Sequence, residues 1–214
     1  MSAKKSKPEL DLNTEEKIKQ AARTVFHRKG FAATRTRDIA EEAGINLALL
    51  NYYFRSKEKL FDLIMLETMQ GFLKNIATIF VDEQSNLEQK IEQIVSAYID
   101  MLVVEPHIPL FIMSELRSNP NQLLTNMNIK HLILNSSLSK QYKQAIEEGR
   151  IVPLPLLHFI MNLLGLTVFP FIASPMLKLI GDIPDENYTT LMLERKKMIP
   201  QWISKMMQPD TYIN

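Results

Sequence analysis

Between Thr34 and Lys59 the sequence reads TRTRDIAEEAGINLALLNYYFRSKEK. This stretch concentrates side chains that recognise rather than react. The guanidinium fork of Arg37 matches O6 and N7 of guanine, and the carboxamide of Asn51 matches N6 and N7 of adenine. The hydroxyls of Tyr52 and Tyr53 suit phosphate oxygens, which set register without reading sequence. Leu47 and Ala48 suit contact with thymine methyls. Together these residues have the chemistry of a surface that enters a DNA groove. Catalytic constellations are missing from the chain: no P-loop, Rossmann glycine pattern, His-Glu-x-x-His or G-x-S-x-G occurs. Glu41/Glu42 and Glu147/Glu148 are neighbours along helical patterns and do not face each other. With no cysteine and only four scattered histidines, no thiolate or structural zinc site is expected. The reading is therefore of a protein that is not an enzyme and needs no cofactor.

Those residues need helices to hold them. Asn13 followed by Glu16 resembles a capping box, and Ile18, Ala21, Ala22, Val25 and Phe26 share one helical face. Gly30 suits a C-terminal stop, which places helix 1 over about 14–29. Thr34 or Thr36 can offer a hydroxyl to the start of a second helix carrying Ile39, Ala40 and Ala43. Gly44 ends that helix, and Asn46 caps a third in which Leu50 and Phe54 face inward. Ala48 and Tyr52 then face outward, flanked by Leu49 and Asn51. Two short helices joined through a glycine turn form a helix-turn-helix.

Further along, Ser56 caps a fourth helix whose apolar stripe runs from Leu60 to Phe80, roughly 36 Å at 1.5 Å per residue. It is the candidate lever between the two halves of the chain. Leu87 to Leu102 forms a fifth stripe, ended by Pro106. The segment 109–117 reads as a short apolar helix, Asn119-Pro120-Asn121 as a break, and 122–148 as one long helix ending at Gly149. Residues 154–173 are uncharged, and their length alone allows a bilayer span. Pro155, Pro170, His158, Asn162 and Thr167 interrupt that run, which equally fits a helix buried on every side. Residues 174–184 read as a loop that can hold one helical turn, and about 188–207 as a last helix with Pro200 kinking or breaking it.

Charge is uneven although the net is only +1: residues 1–60 hold 13 Lys/Arg against 8 Asp/Glu, and 61–214 hold 12 against 16. A basic N-terminal part on a near-neutral chain points to a polyanion partner for that part. Residues 1–12 lack periodicity and read as a flexible basic tail. No apolar run follows that start, so a cytoplasmic protein without a secretory signal is expected.

The segments GFAATRTRDIAEEAGIN and LLNYYFRSKEKL closely resemble the DNA-binding domain of TetR-type (TetR/AcrR-like) transcriptional regulators, over roughly residues 14–62. The resemblance implies an all-α fold. A three-helix helix-turn-helix domain (13–58) would be joined by a long helix to an α-helical ligand-binding and dimerisation domain (59–214). It puts Arg35, Thr36 and Arg37 at the family's contact positions on helix 2. Leu47, Ala48, Leu49, Asn51, Tyr52 and Tyr53 fall at recognition-helix positions beside the cap residue Asn46, and Lys57 falls at a phosphate-contacting position. A cation in the first turn of a helix is mildly unfavourable by the macrodipole, and a phosphate there would offset it. Asn51 stands where the family usually has tyrosine, so specificity should rest on Arg37, methyl contacts and DNA shape. The resemblance further implies a homodimer through about 154–173 and 188–207. It would bind double-stranded DNA at an inverted repeat and be released by a small apolar effector. For the effector, Phe72, Phe80, Met101, Phe111, Met113, Met161 and Phe169 are candidate lining, with His107, Arg117 and His158 as polar anchors. Twelve methionines suit adaptable apolar packing. Two alternatives stand beside this reading: a DNA-binding architectural or protein-regulated factor without an inducer, and a membrane-anchored regulator using 154–173.

Overall fold

A computed structural model describes residues 12–118 and 129–209. The basic tail through residue 11, the Asn119-Pro120-Asn121 break and the stretch to 128 lie outside the described residues. All described elements are helices, and no strand occurs among the described residues. Packing divides the chain into two units, with the boundary between Thr68 and Met69.

The first unit holds α1 (Leu12–Ala33), α2 (Thr36–Glu42), α3 (Leu47–Tyr53) and the beginning of α4 (Lys57–Val81). Its core is the apolar set that the periodicity predicts: Ile18, Ala22, Val25, Ile39, Leu50, Leu60 and Ile64 are almost fully buried. The expected stop of helix 1 is present, because Gly30 has φ 74° and ψ 161°, and only a short irregular turn continues to Ala33. Phe26, Phe31 and Phe61 then form a ring cluster with centroids 4.6–5.9 Å apart. On the other side of α1, the Lys19 ammonium donates to Glu67 at 2.9 Å and Arg23 donates to the Thr68 hydroxyl at 2.6 Å. The Glu67 and Glu16 carboxylates beside Lys19 hold its pKa above the usual lysine range.

The second unit continues α4 and adds α5 (Leu87–Val104), α6 (Ile108–Ser118), α7 (Ile129–Leu134), α8 (Ser137–Glu147), α9 (Leu156–Ile172), α10 (Ser174–Gly181) and α11 (Asp185–Met207). The amphipathic α5 is its axis. Ile91, Ile94, Val95, Ile99 and Leu102 bury against α9 and α11, with α8 closing the same core. Hydrogen bonds pin the long helices together. The Tyr188 hydroxyl donates to Pro170 O at 2.7 Å, and Arg195 Nη2 donates to Leu166 O at 2.9 Å. At the head of α5, the fully buried Lys90 donates to the carbonyl and hydroxyl of Ser85 at 2.7 and 2.8 Å, and burial pushes its pKa down.

The structure corrects several boundaries. The single helix expected over 122–148 is broken. Ser136 takes an extended conformation, donates its hydroxyl to Ile133 O, and accepts from Ser139 N at 3.1 Å to start α8. The helical turn allowed for within 174–184 is longer than expected, a two-turn helix α10 ended by Asp182 at φ 49°. The last helix begins at Asp185, three residues earlier than the periodicity suggests, and Pro200 lies within it without ending it. Among the described residues no single helix is long and apolar enough to cross a membrane, and α9 and α10 are bent by 72° where they meet.

One titration follows from this packing. The Tyr98 ring stands edge-on to Phe72, with centroids 4.6 Å apart, and burial pushes its hydroxyl up to about 12. A phenol whose folded pKa exceeds the unfolded value of about 10 contributes stability that is complete below pH ~10 and is lost as pH rises toward 12. Tyr98→Phe should therefore lose less stability than the wild type between about pH 9.5 and 11.5. Urea unfolding across that window checks this, and parallel losses in the two proteins would refute it.

Candidate nucleic-acid interface

The candidate surface is set by α2 and α3 and by the turn between them. Gly44 has φ 62° and ends α2 in a Schellman motif: Ile45 N donates to Ala40 O and Gly44 N to Glu41 O, both at 3.0 Å. Two residues later the Asn46 carboxamide oxygen accepts from Leu49 N at 2.8 Å, as the N-cap reading expects. The turn thus stops one helix and starts the next within four residues. Leu50 and Phe54 point inward and are buried, so the opposite face of α3 is open.

The start of α2 differs from expectation. Neither Thr34 nor Thr36 supplies the cap. Thr34 is buried and donates its hydroxyl back to Gly30 O at 2.7 Å. The Asp38 carboxylate instead accepts from Arg35 N at 2.9 Å and meets Lys29 at 3.1 Å. The Arg35 N–H first, then Lys29, hold the Asp38 carboxyl below its ordinary value, so it stays charged and engaged inside the unit. An acid three residues after the helix start was the available signal in the sequence, and the more familiar threonines masked it. Arg28 and Glu42 add an exposed pair at 3.0 Å, worth little by itself.

The predicted contact residues separate clearly. Arg35, Arg37, Ala48 and Asn51 are exposed, and Tyr52 is 50% exposed, which removes it from the core. Thr36, Leu47, Leu49 and Tyr53 are half-buried, and the Tyr53 ring meets Tyr52 edge-on at 5.6 Å. Asn46 is exposed, but its carboxamide oxygen is taken by the cap. Lys57 turns inward: its Nζ donates to Phe31 O at 2.9 Å and Thr34 O at 3.0 Å and lies 4.3 Å from the centroid of the Phe31 ring. Nothing in the residue pattern signalled these backbone partners.

The candidate effector residues are not drawn into one cavity. Phe80 and Phe111 are buried, and Phe72, Met101 and His107 are half-buried. Met113, Arg117, His158, Met161 and Phe169 are exposed. None of the ten lines the small enclosed space of about 10 Å³ among Tyr142, Phe159, Ile203 and Met206.

Residues 18–64 match the family model for bacterial regulatory proteins of the tetR family. The chain is similar to the probable HTH-type transcriptional regulator YttP of Bacillus subtilis (strain 168), 27% identical over 76% of this chain and 79% of that one. It is also similar to IcaR of Staphylococcus aureus, the biofilm operon icaADBC HTH-type negative transcriptional regulator, 25% identical over 64% and 71% of the two chains. In structure it matches the transcriptional regulator FadR from Bacillus subtilis in complex with stearoyl-CoA, with TM-score 0.55, 17% identity, and coverage of 90% and 99%. The fold of the first unit and the family match define a helix-turn-helix domain. Residues 18–64 carry the tetR-family DNA-binding domain, and the rest of the chain is similar to regulators of that type in fold.

Gly44→Ala should destabilise the protein by about 1–2 kcal/mol, because a Cβ at this left-handed position is strained although the space around it is open. Gly44→Asn should cost less, since asparagine tolerates that conformation. Denaturant unfolding ranks the pair, and equal losses would place the cost elsewhere.

Proposed function

We propose that the protein is a homodimeric repressor that binds an inverted-repeat operator and is released by a small apolar effector. It would act in the cytoplasm, with 13–58 as the DNA-binding domain and 59–214 as the effector and dimer domain. The observation that carries the DNA part is the outward-facing set Arg35, Arg37, Ala48, Asn51 and Tyr52, raised on two capped helices. In this reading α3 lies in the major groove. Arg37 reads guanine, Asn51 reads adenine, and Ala48 with Leu47 reads thymine methyls. Tyr52, Tyr53, Arg35 and Thr36 hold phosphates. Few donors face the bases, so DNA shape carries part of the specificity.

The dimer part rests on α9 and α11. Phe159, Leu163 and Thr167 of α9 are buried, while Leu157, Met161 and Phe169 are 49–62% exposed. Leu191 and Met198 on α11 are also exposed. A helix apolar on both its buried and its open face fits a second copy covering the open one. Repression is supported by the likeness to IcaR, and an acyl effector by the likeness to FadR bound to stearoyl-CoA. Release requires a shift between two states. Moving occupancy from mostly bound to mostly free takes roughly a 10⁴-fold effector preference, about 5.5 kcal/mol. One observation favours a second reading, a regulator controlled by a protein partner. The enclosed space of about 10 Å³ is far below the ~300 Å³ of a usual ligand pocket.

DNA selection on the purified protein tests the central claim. The expected product is an inverted repeat whose half-site centres lie about 34–36 Å, or a multiple, apart. An enriched site without symmetry would overturn the dimeric reading. On the selected site, Asn51→Ala should relax preference at one base pair per half-site, at a cost of about 1–3 kcal/mol in discrimination. Binding to a panel of single-base variants measures this.

Leu157→Asp combined with Met161→Asp should convert a sedimenting dimer into a folded monomer and weaken operator binding by at least about tenfold. An unchanged sedimentation coefficient would remove this face from the interface. Calorimetric titration with a long-chain acyl-CoA separates the two regulatory readings, since only the first expects heat and loss of DNA.

A further inference from the structure

We infer that α9 crosses its own copy at Gly165, so that this glycine marks the two-fold axis of the dimer. The inference rests on the dimer reading above and deepens it, because it names the point of contact and what permits it.

Within one protomer nothing calls for a glycine here. Gly165 lies near the middle of the 17-residue α9 and is exposed. A glycine inside a helix weakens it relative to alanine, through backbone entropy and the missing side chain. Two reasons commonly keep such a residue, a positive φ or a crowded neighbour. Gly165 has neither: the positive-φ glycines are Gly30, Gly44 and Gly149, and a Cβ placed on Gly165 would meet nothing within 4 Å. A neighbour outside the protomer supplies the reason, since a missing side chain lets a second helix backbone approach closely.

The surroundings of Gly165 identify that neighbour. At helical spacing it lies opposite Phe159, Leu163 and Thr167, which are buried. Met161 and Phe169, one turn to either side of it, are 49% and 54% exposed. Leu157 and Leu164 widen the same open face. From Ile151 to Leu177 the sequence contains no Lys, Arg, Asp or Glu. A two-fold axis sets each group near it against its own image, so a charge there would face a like charge at a cost. A face without charge is therefore complementary to itself. Arg195 reaches α9 from α11, but its Nη2 donates to Leu166 O at 2.9 Å and its guanidinium lies 5.2 Å from the Trp202 ring. That charge is thus engaged where the two helices of one protomer meet. Two copies crossing at Gly165 bring backbone against backbone at the glycines, with the long side chains of Met161 and Phe169 packed on either side.

The test uses the full-length protein and has two arms. In the first, sedimentation at several concentrations compares the wild type with Gly165→Leu and with Gly71→Leu. Gly71 is also an exposed helical glycine with nothing within 4 Å of an added Cβ, but it lies on α4. Gly165→Leu should weaken the dimer at least about tenfold by overpacking the crossing, and Gly71→Leu should leave it unchanged. A position open to solvent predicts the reverse for Gly165→Leu, a gain in helix propensity and no loss of dimer. An unchanged dimer, or equal losses in the two variants, overturns the inference.

The second arm stands even where Gly165→Leu fails to fold. The chain has no cysteine, so Gly165→Cys and Leu157→Cys each introduce a single thiol. A disulfide needs Cα atoms within roughly 7 Å. Mild oxidation should join two copies of the Gly165→Cys protein rapidly. The Leu157→Cys protein, changed about 12 Å farther along the helix, should join slowly or not at all. A Gly165→Cys protein that sediments as a dimer yet stays uncrosslinked overturns the crossing while leaving the dimer reading in place. One that sediments as a monomer where the wild type is a dimer supports it, since the protomer alone has room for the side chain. A wild type that is monomeric at every concentration, whether or not it floats with lipid vesicles, overturns the dimer reading and the crossing with it.

Discussion

Two seven-residue helices carry the proposed recognition surface, and helices of that length do not persist alone in water. The rest of the first unit answers that constraint. Each short helix has its ends closed by side chains: Asp38 for α2, Asn46 for α3, and the Gly44 turn between them. Each has one apolar face buried, through Ile39 and Ala40 of α2 and Leu50 of α3, with α2 packed between α1 and α3. With caps worth about 1 kcal/mol each and buried aliphatic side chains about 1.5–3 kcal/mol each, packing outweighs capping in holding the helices. Capping decides where they begin and stop, and so which side chains face outward. The order of causes runs from burial, which makes the helices exist, to caps, which set their register, to the exposed residues that register presents.

The second unit solves a different problem. Its interior is apolar, with the rings of Phe80, Tyr142 and Phe159 among aliphatic side chains, and its other buried polar side chains among the described residues are uncharged hydroxyls. Lys90 is the exception, a buried ammonium held by Ser85 at the α4–α5 turn, where Gln141 from α8 also donates to the Ser85 carbonyl at 2.8 Å. That small network costs desolvation and does not add apolar burial, but it specifies how α8 meets the turn. Apolar side chains are left over on α9, α10 and α11. Leu179 and Ile180 of α10 are among the most exposed large hydrophobics described. On the proposed dimer reading this is the surface a second copy would cover, which would join assembly to the same physical account as folding.

Helix periodicity and end chemistry in the sequence revealed most of the first unit. The core residues of α1, the glycine stops and the Asn46 and Ser56 caps are local features, and local features survive into the fold. The start of α2 was not legible, because three candidate oxygens lay within five residues and only the geometry chose Asp38 over Thr34 and Thr36. The break at Ser136 was hidden for a similar reason. Ile129 to Leu134 and Leu138 to Ala145 carry compatible apolar spacing, so periodicity continued across a serine that the backbone uses as a cap. The α10 turns were obscured by Pro175 at their start and Gly181 at their end, residues that read as loop but also flank helices.

Side-chain direction at long range was the least legible feature, and Lys57 shows why. In sequence it is a lysine at the head of a helix, 23 residues from Thr34 and 26 from Phe31. Its partners are backbone carbonyls, which leave no trace in residue identity. A carbonyl freed after Gly30 accepts from an ammonium as a phosphate oxygen can, though without its charge, and only the fold brings one within 3 Å. The same limit applies to the candidate effector residues. Phe111 and Phe169 are identical in type and both lie on apolar helices, yet one is 7% and the other 54% exposed. Composition identifies a residue that wants burial, while the packing partner that provides it, within the chain or in a second copy, is decided in three dimensions. The outward apolar face of α9 and the inward charge of Lys57 are thus two results of one rule. In this protein a side chain's chemistry states a demand, and the position of backbone or neighbour determines where that demand is met.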